Sequence, residues 1–208
     1  MDSLAHRGLW AEPEQRNTLS ALRGAFARGY GVELDVRDRD GTLVVSHDPA
    51  GDRAVALADV VGTYLEHGCP GSLAINIKAD GLAPMLERAL SAVPAARWFA
   101  FDMSVPDLLA YAQARLPFFT RHSDIEPEPA LYAQAGGVWL DDFSGTFVAE
   151  QRVAAHLRAG KRVAVVSPEL HRRERAATWE SWRTWAVWRS TQVMLCTDHP
   201  AEAQTVFA

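Results

Sequence analysis

The chain has 208 residues, 48% hydrophobic and 23% charged, with a formal net charge of -5. That size and composition fit a single water-soluble globular domain, and the charge argues against nucleic acid or an anionic membrane surface as a bulk electrostatic partner. No apolar run approaches the roughly 20 residues of an integral membrane segment, and residues 1–10 show no signal peptide. The two cysteines, Cys69 and Cys196, form no C-x-x-C pair. They imply a reduced, cytoplasmic setting rather than a disulfide scaffold.

In chain order, the first apolar run covers residues 4–8 and carries His6 and Arg7 at its end. Residues 17–28 follow with Leu19, Leu22, Ala25 and Phe26 at helical spacing, Asn17 as the expected N-cap and Gly29 at the C-terminal cap. A second strand is expected over 31–37, then Asp38-Arg39-Asp40-Gly41 and an alternating run over 42–47. Asp-Gly before alternation predicts a small β-hairpin excursion, which would swing His47 and Asp48 over the end of the sheet, with Asp48-Pro49 stopping it. Further strands are expected over 73–78, 98–102, 118–122, 137–142, 162–167 and 192–197, and helices over 81–92, 106–114, 129–135 and 147–159, the last closed by Gly160. Tryptophans at 179, 182, 185 and 188 recur every third residue, which predicts a helical stripe packed on the protein rather than a lipid anchor. Eight such units, seven with room for a helix in the connection, give an α/β fold: a compact (β/α)8 TIM barrel spanning 1–208 as one domain. The competing doubly wound sheet lacks its Gly-rich nucleotide loop after the first strand.

Polar residues mark the C-terminal ends of the strands, where barrels build their sites: His6, Arg7, Glu33, Asp35, Asn76, Lys78, Asp102, Arg121, Asp141 and Asp198. Single polar residues can simply mark where a strand surfaces. Glu33 and Asp35 are different, because positions two apart share a strand face and Val32, Leu34 and Val36 take the other. Two inward carboxylates need a cation, a shared proton or a basic side chain, and Mg2+ or Ca2+ suits such oxygen donors. Asp124, Glu126 and Asp142 read as solvated loop charges. His67, His122, His156, His171 and His199 read as structural or surface residues, with His122 and His199 near enough to strand ends to reach the rim.

Ala5-His6-Arg7-Gly8, Asn17-Thr18, Gly31-Val32-Glu33-Leu34-Asp35, and Asp40-Gly41 leading to Ser46-His47-Asp48-Pro49 stand in an order that resembles the opening signature of the glycerophosphodiester phosphodiesterase family. Residues 75–78 and Cys196-Thr197-Asp198-His199-Pro200 resemble its third-strand and terminal elements more loosely. The resemblance implies a TIM barrel and a metal-dependent phosphodiesterase acting on a small-molecule phosphodiester. It implies His6 and His47 as the acid–base pair, with Glu33, Asp35 and Asn76 around a divalent metal, Mg2+ or Ca2+. Arg7 and Lys78 would steady the phosphate, and Gly8 would let the backbone approach it. Asp102, Arg121 and Asp141 would meet the substrate, Arg121 either as a second phosphate clamp or as the partner of an acid.

The match departs at two points. Asn76 stands where the family has a glutamate ligand, so the site loses one negative charge unless Asp102 or Asp141 compensates. Arg16 stands where glutamate often precedes Asn-Thr. Both suggest a divergent member with its own substrate. Two other readings remain open: a phospholipid-cleaving lyase that leaves a cyclic phosphate, and a catalytically silent barrel that binds a phosphorylated ligand.

Overall fold

The computed structural model describes residues 1–52 and 54–207. Strands β1 (Asp2–His6), β2 (Gly31–Arg39), β5 (Leu73–Ile77), β6 (Trp98–Phe101), β7 (Phe119–His122), β8 (Gly137–Leu140), β9 (Arg162–Val166) and β10 (Val193–Thr197) are parallel neighbours in that order. β10 pairs back onto β1, with Ser3 opposite Leu195, so the ladder runs round as a barrel. β6 and β7 are joined by one bridge, Ala100 to Phe118.

Alternation along each strand sorts the core into two layers. Leu4, Ala74, Phe99, Phe101, Phe119, Trp139, Ala164, Val166, Met194 and Cys196 fill the interior. Phe99 stacks on Phe119 at 3.7 Å between ring centroids, and Phe101 on Trp139 at 3.9 Å. Val32, Leu34, Val36, Leu73, Ile75 and Ile77 face outward into the layer shared with the helices. β2 therefore contributes Glu33 and Asp35 to the interior, with His6 of β1 level with Glu33 and Asn76 of β5 level with Asp35.

The hairpin lies where Asp-Gly placed it. β3 (Thr42–Val45) runs antiparallel to β2, with Val36 opposite Val45, and β4 (Val55–Ala56) adds a short third strand. The same connection then carries α2 (Leu57–Glu66), whose Leu57, Val60, Val61 and Tyr64 are buried. The other helices are α1 (Leu19–Ala27), α3 (Ala83–Ala89), α4 (Val105–Ala114), α5 (Glu150–Arg158), α6 (Ala176–Trp182) and α7 (Pro200–Val206).

Three local expectations are corrected. Residues 129–135 form turns, with Leu131 left-handed at φ 50, because Leu131, Tyr132 and Ala135 are too short an apolar series to sustain a helix. The tryptophan stripe is not one helix: α6 ends at Trp182, Trp185 is extended, and a separate 3-10 turn Ala186–Arg189 carries Trp188. All four rings still pack into one apolar cluster. Thr18, not Asn17, caps α1, its hydroxyl accepting from the Ala21 N–H, which frees the Asn17 side chain for the barrel mouth.

Candidate active site

β1 ends in a sharp turn. Arg7 is left-handed at φ 59 and Gly8 follows at φ 91. A Cβ on Gly8 would lie 2.6 Å from the backbone carbon of Ala21. The close approach of α1 by itself requires a glycine here. The turn leaves His6 at the mouth, 15% exposed, with Nδ1 2.7 Å from Asp198 Oδ1 and Nε2 3.8 Å from Glu33 Oε2. Asp198 is itself positioned. Glu169 accepts its N–H at 3.2 Å and the Thr197 hydroxyl at 2.5 Å, and also the hydroxyl of Ser167, which in turn accepts from Trp179 Nε1.

Asp35, fully buried, is ringed by donors. Arg7 Nε lies 2.8 Å from Oδ2, Lys78 Nζ 3.2 Å from Oδ1, and Asn17 Nδ2 donates to Oδ2 at 2.8 Å. Burial works against its charge, but Lys78, Arg7 and the Asn17 hydrogen bond outweigh that and hold its pKa below the ordinary aspartate range. Glu33 has no such partner. Burial and then the neighbouring Asp35 push its pKa up to about 7, and its Oε2 is buried without a hydrogen bond. Asn76, opposite Asp35 in the β2–β5 register and 8% exposed, likewise leaves Oδ1 unpartnered.

His47 comes from the hairpin. Its side chain is 48% exposed, with Nδ1 3.0 Å from Asp48 Oδ1.

The far side of the mouth is built from one side chain at each strand end. Arg121 reaches Asp102 at 2.5 Å, Asp141 at 2.8 Å and Glu126 at 3.5 Å. Burial opposes its charge, and these carboxylates more than restore it. His171, in the 3-10 turn after β9, closes on Asp141 at 2.6 Å. Asp142 is buried rather than solvated: its carboxylate accepts the N–H groups of Gly145, Phe147 and Val148 and so fixes the loop after β8. Asp124 accepts from Phe143 and Ser144 and braces the same loop.

These groups surround one cavity of about 320 Å³. His6, Arg7, Glu33, His47, Asn76 and Lys78 line one side, Asp102, Arg121, Asp141 and His171 the other, and Trp139, Phe143, Val166 and Leu170 complete it. Every side chain given a catalytic, metal or substrate role from the sequence lines it except Asp35, which lies just beneath, paired to Arg7 and Lys78. Sequence reasoning missed His171 and the service of Asp198 to His6. The Thr-Asp-His-Pro element after β10 signalled the second, while nothing local marked His171.

Among the described residues no three of His, Cys, Asp and Glu stand close enough together to hold a metal ion. A cation site must draw on amide oxygen as well. The donor set fits that requirement: Glu33 Oε2 and Asn76 Oδ1 are buried oxygens lacking partners, and Asp35 lies beside them.

A family model described as the glycerophosphoryl diester phosphodiesterase family matches residues 6–206. No curated protein matches in sequence. Among solved structures, a candidate glycerophosphodiester phosphodiesterase from Galdieria sulphuraria aligns over 99% of this chain and 97% of its own, at TM-score 0.77 and 16% identity. A glycerophosphodiester phosphodiesterase from Parabacteroides distasonis aligns over 99% and 96%, at TM-score 0.75 and 16% identity. An Oleispira antarctica phosphodiesterase, solved with its product sn-glycerol-3-phosphate, aligns over 99% and 96%, at TM-score 0.68 and 18% identity. At these identities the structures speak for a shared fold.

Proposed function

This chain belongs to the glycerophosphoryl diester phosphodiesterase family, a family of phosphoric diester hydrolases, and we propose that it hydrolyses a small glycerophosphodiester-like molecule to an alcohol and a phosphomonoester. The observation that carries the reading is that two histidines from separate elements, His6 and His47, line one cavity with Arg7, Lys78 and Glu33.

Phosphodiester cleavage needs a base, an acid and relief of negative charge on the phosphoryl oxygens. With Nδ1 donating to Asp198, His6 keeps the lone pair of Nε2 toward the cavity, the tautomer of a base. His47, half exposed at the edge of the same cavity, serves as the acid. Glu33, Asp35 and Asn76 would hold Mg2+ or Ca2+, which when bound supplies Lewis-acid stabilisation of phosphate oxygen. Arg7 and Lys78, both beside Asp35, offer the cationic donors for the phosphate. Arg121 is held between carboxylates, so its role is to brace Asp102 and Asp141 rather than to clamp phosphate. The whole chain acts as one barrel domain. No helix among the described residues is long and apolar enough to cross a membrane, and the two free cysteines suit a reducing cytoplasm.

The test is hydrolysis of sn-glycerol-3-phosphate diesters with Mg2+ or Ca2+, products identified by phosphorus NMR. Activity should disappear with EDTA and return with the ion. Full turnover in chelator would reject the metal assignment, and a cyclic phosphate as the end product would reject hydrolysis in favour of a lyase.

A further inference from the structure

A phosphodiester carries two ester substituents, and a second space lies beside the cavity holding His6 and His47. Resting on the phosphodiesterase reading above, we propose that the cleft between β6 and β7 is the subsite for one of them. It selects an alcohol that carries a hydroxyl or cationic nitrogen over an anionic alcohol.

The cleft follows from the weakest seam of the barrel. Elsewhere round the barrel neighbouring strands share three or more register pairs, whereas β6 and β7 meet only at Ala100 and Phe118, with the Ala100 N–H donating to Pro117 O at 2.9 Å. The next residue that could extend the ladder past Phe101 is Asp102, and it is left-handed at φ 66. That conformation turns β6 away from its partner and is one a non-glycine residue seldom adopts without other constraints. Above the bridge the strands part around a space of about 590 Å³.

Four residues border both this space and the reaction cavity: Asn76, Lys78, Asp102 and Arg121. The two spaces therefore adjoin along these four side chains. The accessible lining of the cleft is more polar than apolar: Met103, Leu108 and Phe119 border it but are largely buried, and Val105, 58% exposed, is the apolar lining residue most open to solvent. Of its two cations, Arg121 is held by Asp102 and Asp141, and Lys78 lies at Asp35 and serves the phosphate in the reaction cavity. Asp80 and Glu126 are exposed acceptors at its edge. An incoming carboxylate would find no free cation there and two like charges, whereas a hydroxyl or ammonium would find acceptors.

Binding can be measured on His47→Ala protein by calorimetry with inorganic phosphate and with three diesters of sn-glycerol-3-phosphate, made with a neutral diol, an aminoalcohol and a hydroxyacid. The aminoalcohol diester should bind about tenfold or more tighter than the hydroxyacid diester, and Glu126→Lys should remove most of that ratio. Val105→Trp should weaken all three diesters by about tenfold while phosphate binds as before. Val105 is 58% and the Glu126 side chain 52% exposed, and a melting curve of each variant checks that the fold survives, Glu126 lying 3.5 Å from Arg121. Equal affinity for the three diesters, or a silent Val105→Trp, overturns the subsite. If the selectivity appears but wild type cleaves none of the diesters, the subsite stands and the phosphodiesterase reading falls. Cleavage without selectivity leaves the phosphodiesterase reading standing and removes the subsite.

Discussion

The two halves of the barrel mouth handle charge in opposite ways. On the arc from β1 through β2 to β5, Glu33 Oε2 and Asn76 Oδ1 are buried and unpartnered, and Glu33 titrates near neutrality. On the arc from β6 to β9, the close charges pair off: Arg121 with Asp102 and Asp141, and Asp141 again with His171. A buried polar atom without a partner costs on the order of 1–3 kcal/mol, so such atoms persist where another group arrives to meet them. The first arc is built to receive, and the second to hold its own shape while presenting acceptors. The contrast can be broken by removing the receiving groups, which should cost activity, or the self-paired ones, which should cost stability.

The largest effect is expected on the receiving side. His6→Ala and His47→Ala should each lower kcat by about 10²-fold or more, with melting temperatures near wild type, since neither ring is part of the packed core. Steady-state turnover of the best diester decides. Near-normal kcat in either variant removes that histidine from the acid–base pair.

Arg121→Met should act the other way. It leaves Asp141, whose side chain is 4% exposed, with only His171 and the Asp142 N–H, and frees Asp102 and Glu126 to repel one another. Breaking a largely buried pair costs about 3 kcal/mol, a fall in Tm on the order of 10 °C for a chain of this length. Calorimetric melting that stays within about 2 °C of wild type would show that the second arc does not hold itself together through this guanidinium.

Asp198→Asn should be milder than losing His6 itself. The amide can still sit beside Nδ1, but it can as readily donate to that nitrogen as accept from it, so the tautomer that leaves Nε2 as a base is no longer enforced. A kcat about tenfold down, with an altered pH–rate profile on the acidic limb, where a general base becomes protonated, and little change in KM, is the expected signature. An unaltered profile would mean that Asp198 only packs against His6.

The two arcs also differ in how readily they could be read from the sequence. The receiving arc was legible because its residues fall in short motifs: E-x-D has a fixed geometric meaning on a strand, and the Asp-Gly turn announces the hairpin that brings His47 back. The barrel was legible from the strand count and the polar strand ends. The self-paired arc depends on which strand ends become neighbours. His171 meets Asp141 across 30 positions of chain, a contact that only closing the barrel creates. The helical errors have local causes. Residues 57–66 carry Leu57, Val60, Val61 and Tyr64 at helical spacing, but the Asp-Gly hairpin signal just before them is the stronger local feature of that connection. At 129–135 the apolar residues are periodic over barely one turn. The tryptophans keep their spacing while the backbone leaves the helix after Trp182, because cluster packing, not helical phase, sets where their rings lie.

The smallest effect lies outside both arcs and serves as their control. His156, 6% exposed, is held between Tyr132, whose hydroxyl is 2.8 Å from Nδ1, and His122, whose Nδ1 is 2.9 Å from Nε2. Burial, then His122 and Arg152, lower its pKa from 6.5 to about 4. Between those two values the unfolded chain binds a proton that the native ring refuses, so stability is full above about 6.5 and falls as pH drops through the window. Burial shifts His122 in the same direction and adds to the trend. Glutamine at 156 cannot titrate, yet it offers both a donor and an acceptor to the same neighbours. His156→Gln should therefore lose fewer degrees of Tm than wild type between pH 7 and pH 5, without the roughly 10²-fold fall in kcat expected for His6→Ala and His47→Ala. Equal losses in the two proteins would show that the native ring takes up its proton as easily as the unfolded one does. A large loss of kcat would show that the region behind β7 belongs to the mouth after all.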